Sequence, residues 1–121
     1  MPKFMLALRG EANPDYSQFS PEDMQKIIQE YDAWAGKLAS QGLLLDGEKL
    51  TDEGGMVMMP EEDGSVTIKD GPYLETKEVL GGIYLIKAND YAHAAELCQG
   101  HPNFRFGSIE IRQIDPMGQD D

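Results

Sequence analysis

Basic side chains are scarce in this chain: 10 Lys and Arg stand against 22 Asp and Glu, a formal net charge of −12 at neutral pH. A field of that sign opposes nucleic-acid phosphates and anionic lipid surfaces, so no nucleic acid and no membrane is an expected partner. The acids are scattered apart from small groups such as Glu61-Glu62-Asp63, as on a solvated surface. Cysteine is rarer still. Cys98 stands alone, which excludes an internal disulfide and a cysteine-built metal site within one chain, and fits a reducing cytoplasm. The two histidines, His93 and His101, fall in no metal-ligand spacing. Phosphate-loop and dinucleotide signatures are missing, since Gly81-Gly82 precedes a strand and not a helix, and there is no nucleophile elbow. No cofactor and no metal are therefore implied. Long apolar runs are also lacking: Met1 to Arg9 is too short for a signal-peptide core or a transmembrane span and reads as a strand. A length of 121 residues suits one domain, residues 1–121, closing on a short polar tail at 116–121.

What the chain does contain is two kinds of periodicity. Phe4, Leu6 and Leu8 alternate with Met5, Ala7 and Arg9, the pattern of a strand with one packed face. Ser20-Pro21-Glu22-Asp23 supplies an N-cap, a first-position proline and acids in the first turn of a helix. Its apolar stripe runs through Met24, Ile27, Ile28, Tyr31, Trp34, Ala35 and Leu38, and Gly42 ends it. Leu43-Leu44-Leu45 opens a second strand that decays into Asp46-Gly47-Glu48. Met56 to Met59 and Val66 to Ile68 flank a Glu-Glu-Asp-Gly loop and read as a hairpin, an insertion or extension of the sheet. Ile83 to Ala88 is the most apolar strand, Asp90 caps a second helix carrying Tyr91, Ala94, Ala95 and Cys98, and Gly107 to Ile114 closes the series.

Strand, helix, strand, hairpin, strand, helix, strand is an α+β order, the split β-α-β pattern of a ferredoxin-like fold with an inserted hairpin. Both helices then cover one face of an antiparallel sheet whose first and third core strands are central. Met5, Ala7, Tyr84 and Ile86 are expected on the other face, which is too apolar for water, so a second copy is expected to cover it.

The most distinctive segment is Asp70-Gly71-Pro72-Tyr73-Leu74-Glu75-Thr76-Lys77-Glu78, followed by Gly81-Gly82. Gly71 tolerates positive φ and Pro72 fixes its own, so Asp70 is held in place by the turn, and the double glycine allows a close backbone approach. Asp70-Gly71-Pro72-Tyr73, Glu75-Thr76-Lys77-Glu78 and the closing Gly107-Ser108-Ile109-Glu110-Ile111-Arg112 together resemble the DGPF-type branch of the YCII-related proteins, with Tyr73 in place of the usual phenylalanine. The resemblance covers nearly the whole chain. It implies a dimeric α+β barrel, in which two sheets meet, with a cleft that looks like an active site in a family largely without assigned chemistry. Relatives in the wider superfamily carry a histidine on the first helix and Asp-Pro after the second. Here the first helix has no histidine, and His101-Pro102 stands where they have Asp-Pro.

Two catalytic candidates follow. His101 titrates near neutrality when unperturbed, and Asp70 either serves as its partner or base, or accepts backbone N–H groups within its turn. Arg9, Glu110 and Arg112 are expected on the partner-facing sheet face beside Tyr84, where they either bind a carboxylate-like ligand or pair with each other across a dimer. Glu75, Lys77 and Glu78 complete the expected ligand-binding rim, as an anion anchor or a surface ion pair. Two functions are compatible with these residues. One is a small-molecule binder or cofactor-free acid-base enzyme with its cleft at a homodimer interface. The other is a non-catalytic accessory module that presents its surface to a protein, in keeping with the sigma-factor genes that often neighbour those of such proteins.

Overall fold

Strand β1, Lys3–Gly10, buries Phe4, Leu6 and Leu8, as its alternation requires. The structure is a computed structural model that describes residues 1–11, 15–52, 54–71 and 78–117. Helix α1, Pro21–Ser40, begins in a capping box: the Ser20 hydroxyl accepts the Asp23 amide while the Asp23 carboxylate accepts the Ser20 amide. It ends on Gly42, whose φ of +73° only glycine adopts cheaply. There the Gly42 and Leu43 amides donate to the carbonyls of Ala39 and Leu38, a Schellman turn. Strands β2, Leu44–Lys49, β3, Met56–Pro60, β4, Val66–Asp70, and β5, Val79–Lys87, precede helix α2, Tyr91–Cys98, which Asp90 caps by accepting the His93 amide. A single 3-10 turn, Pro102–Arg105, leads into strand β6, Gly107–Gln113.

The main sheet is antiparallel in the order β2-β5-β1-β6, so β1 and β5 are central, as a ferredoxin-like α+β fold demands. The β3–β4 hairpin is an insertion and not an extension of that sheet, because it forms a two-stranded sheet of its own. Gly54 and Gly55, with φ of 87° and 110°, turn the chain into it. Met56, Met58, Val66 and Ile68 are each more than half exposed along it.

Register decides which side chains reach the helices. β1 pairs Phe4 with Ile86 and Leu6 with Tyr84, so Tyr84 and Ile86 share the helix-covered face. The expectation that they lie on the uncovered face is thereby corrected. Ile83 to Ile86 is apolar at every position, so alternation within β5 carries no parity, and only its pairing with β1 fixes it. The face opposite the helices carries Met5 and Ala7 from β1 with their β5 partners Leu85 and Ile83. Met5, Ile83 and Leu85 are only partly buried there.

The core joins Phe4, Leu6 and Ile86 of the sheet to Trp34 and Leu38 of α1 and Ala94 and Cys98 of α2. Trp34 is its cross-link, since its indole N–H donates to the Leu97 carbonyl at 2.9 Å and so ties α1 to α2. No helix among the described residues is long and apolar enough to cross a membrane. Trp34→Ala should cost about 3–5 kcal/mol of unfolding free energy, read from the midpoint of a urea titration at constant slope. A loss under 1 kcal/mol would mean that the indole is not the cross-link described.

Candidate functional site

Four aromatic rings converge where α1 crosses the sheet. His101, at the start of the 3-10 turn, is only 2% exposed. Tyr31 and Trp34 reach it from α1 at centroid distances of 5.0 and 4.6 Å, and Tyr84 from β5 at 5.6 Å, with interplanar angles of 84°, 82° and 73°. Trp34 and Tyr84 also touch, at 4.8 Å. The Nδ1 atom of His101 accepts the Asn103 amide at 3.0 Å, so in the neutral ring the proton resides on Nε2. That Nε2 is buried without a hydrogen-bond partner. Rings that meet near right angles allow an edge N–H to lie against a π face, which is the compensation this setting offers. Burial pushes the imidazole down to about 4, so the ring is neutral across the physiological range.

Tyr31, Tyr84 and Asn103 form the outer side of this cluster and also line a cavity of about 660 Å³. It lies on the helix-covered side of the sheet, with Leu8, Leu44 and Tyr84 on the sheet wall, Ile28 and Ala35 on α1, and Tyr16, Phe19 and Phe106 from the loops. Gly47 and the double glycine shape the sheet wall. A Cβ on Gly47 would lie 2.7 Å from the Tyr84 ring, and one on Gly82 would lie 3.1 Å from the Glu48 carbonyl, so bare backbone lets β2 and β5 close behind that ring. Asn103 fixes the floor by donating to the Arg9 and Ser108 carbonyls and accepting from the Tyr31 hydroxyl. Burial raises Tyr31 to about 12 and Tyr84 above its ordinary value, so both phenols keep their protons at neutral pH.

The expected site residues separate into groups. Tyr84 and His101 belong to the aromatic cluster on the helix side. Arg9, Glu110 and Arg112 do meet on the opposite face: Arg9 donates from Nε and Nη2 to one oxygen of Glu110, at 3.1 and 3.0 Å, and Arg112 lies 3.6 Å from the other. Glu78 joins them by accepting from the Ser108 hydroxyl. This cluster is partly exposed, which keeps each ion pair to about 1 kcal/mol or less. Asp70 is exposed at the end of β4, paired in register with Met56, and no hydrogen bond joins it to His101. Pro72 to Lys77, and with them Glu75 and Lys77, lie outside the described residues. Among the described residues no group of three or more His, Cys, Asp or Glu side chains gathers to hold a metal ion.

Sequence reasoning did not assign a site role to Tyr16, Asp32, Tyr31, Asn103 or Phe106. Tyr31 was legible only as part of the helix stripe, and a tyrosine there could have been flagged, since its hydroxyl needs a partner when buried. Nothing in the local sequence marks Asn103.

Stability should follow pH through His101. The unfolded ring titrates near 6.5 and the folded ring near 4, so between those values the unfolded state binds more protons and stability falls as pH falls. The contribution is absent above about pH 7 and has a limiting slope of about 1.4 kcal/mol per pH unit inside the window. Urea titrations from pH 7 to 4.5 should show a shallower decline for His101→Leu than for the wild type. Parallel curves would contradict a neutral, enclosed imidazole.

Sequence comparison relates the chain to known proteins. An uncharacterised protein of Rhizobium meliloti (strain 1021) is 27% identical over 100 residues, spanning 81% of each chain. The profile of the YCII-related domain matches residues 5–118, nearly all of the chain and every element of the main sheet except the first residues of β1. The chain thus belongs to the YCII-related domain family.

Proposed function

We propose that this protein binds a small organic molecule in the cavity beneath α1, and that two copies meet through their uncovered sheet faces. The observation that carries the first half is the cavity itself. About 660 Å³ lies within the range of small-molecule sites, and a wall whose surface is mostly apolar, with aromatic rings set among polar and charged side chains, can hold and orient an organic molecule. Tyr84, held protonated, offers a hydrogen-bond donor, and the oxygen of Tyr31, whose proton goes to Asn103, offers an acceptor. The ligand site of this reading lies within each protomer, on the helix side, and not in the cleft between sheets anticipated from the sequence.

Acid-base catalysis by an Asp70–His101 pair gains no support from their positions. His101 spends Nδ1 on the Asn103 amide and is enclosed by rings, while Asp70 sits exposed on the hairpin. A binder is therefore the better reading than an acid-base enzyme built on that pair. The second half rests on Met5, Ile83 and Leu85, apolar and incompletely buried on the two central strands, with the Arg9–Glu110–Arg112 cluster beside them as a charged rim. A protein-docking role is favoured by one observation only, the exposed apolar hairpin of Met56, Met58, Val66 and Ile68.

A thermal-shift screen against a library of small organic compounds should yield ligands that stabilise the wild type. Ala35→Phe, which fills the cavity from α1, should fold but lose that stabilisation. Failure of every compound, or equal stabilisation of the filled variant, would count against the cavity and favour the docking role. In sedimentation at tens of micromolar, the wild type should run as a dimer and Leu85→Glu as a monomer. A monomeric wild type would remove the sheet-to-sheet assembly while leaving the cavity unaffected.

A further inference from the structure

We propose that the cavity is selective for an organic cation: an apolar or aromatic body bearing an ammonium group, with the charge set against tyrosine rings and the carboxylate of Asp32. The inference rests on the cavity being a ligand site, as argued above, and adds the sign of the ligand's charge.

Three features of the lining point the same way. First, five of its side chains are aromatic, Tyr16, Phe19, Tyr31, Tyr84 and Phe106. Phe106 packs edge-to-face on Tyr16 and Phe19, at 6.3 and 6.0 Å, which joins the three rings into one wall. Ring faces carry negative potential and attract ammonium groups, quaternary ones included.

Second, each cation in the lining already has a carboxylate. Arg9 reaches the lining from β1 but turns its guanidinium to Glu110 on the opposite face, at 3.0 Å, while Lys49 pairs with Asp52 at 3.0 Å and Arg105 with Glu30 at 2.8 Å. An anionic ligand would have to compete with these pairs for its counter-charge. Asp52 is the lining carboxylate that this pairing uses, while Glu30 and Glu110 lie outside the lining and leave its other carboxylates unspent.

Third, Asp32 is one of those that remain. An exposed residue of α1 between Tyr31 and Ala35, it lines the cavity, and its carboxylate makes no hydrogen bond or ion pair among the described residues. Its negative field reaches the Tyr84 phenol, where it adds to burial in holding the proton on. A ligand ammonium near Tyr84 would meet that same field as attraction. Glu11 and Glu48 extend the acidic lining, and the formal charge of −12 favours approach of cations at long range.

The test uses the full chain and three probes of similar size: phenethylamine as cation, 2-phenylethanol as neutral analogue and phenylacetate as anion. Binding is followed by the fluorescence of Trp34, the chain's single tryptophan, which packs on Tyr84. Phenethylamine should bind at least roughly tenfold more tightly than phenylacetate at low ionic strength. Asp32→Asn should narrow its advantage over 2-phenylethanol by roughly fivefold, and added salt should narrow it further. Equal or tighter binding of phenylacetate, or an unchanged preference in Asp32→Asn, would overturn the charge assignment. Library hits confined to neutral or anionic compounds would also overturn it, while leaving the cavity as a ligand site. No binding by any probe or library compound would remove both.

Discussion

The enclosure of a neutral imidazole by three aromatic rings is the interaction on which the rest of this structure turns. His101 is reached by two rings from α1 and one from β5, so it fixes the distance and rotation of the helix over the sheet. Burying a polar ring is costly unless its atoms find partners. Nδ1 finds the Asn103 amide, and Nε2 finds only aromatic surroundings. The same Asn103 then reaches the backbone of β1 and the start of β6, so the histidine, the 3-10 turn and the sheet are one connected unit. Tyr31 and Tyr84 present one side to this unit and the other to the cavity, and the site inherits its rigidity from the core.

Parity across β1 and β5 divides the chemistry of the molecule between two faces. Helix-side positions hold the aromatic cluster and the cavity, and the opposite positions hold Met5, Ala7, Ile83 and Leu85 with the Arg9–Glu110–Arg112 cluster at one side. On the proposed reading these faces have separate work, ligand capture on one and self-association on the other. The charged residues that looked like a ligand clamp satisfy one another, with Glu110 receiving both arginines. Such a cluster suits the edge of an interface, where charges must be paired whatever else they do.

Much of the fold was legible because local signals agreed with the global pattern. The Ser20–Asp23 capping box, the stop at Gly42, the Asp90 cap and the alternation of Phe4, Leu6 and Leu8 each specify an element boundary or a buried face, and the element order then leaves few topologies. The site was less legible. Tyr84 sits in a run without alternation, so its face depends on register with a strand almost eighty residues earlier. His101 follows a helix and precedes a proline, as many surface residues do. Its burial comes from Tyr31 and Trp34, distant in sequence, which read simply as the apolar stripe of α1. Asp32 is exposed and polar on a helix and carries no local mark at all. The Asp70-Gly71-Pro72-Tyr73 signature identified the family correctly, although Pro72 and Tyr73 lie outside the described residues.

The central claim, that His101 is held neutral and enclosed with Nδ1 as acceptor, is tested most directly by long-range ¹H–¹⁵N correlation NMR of the imidazole at pH 5.5. The structure predicts a single neutral ring with its proton on Nε2 and Nδ1 unprotonated. An imidazolium pattern at that pH, or averaging between the two tautomers, would show that the ring is open to water and that the cavity wall built against it does not stand.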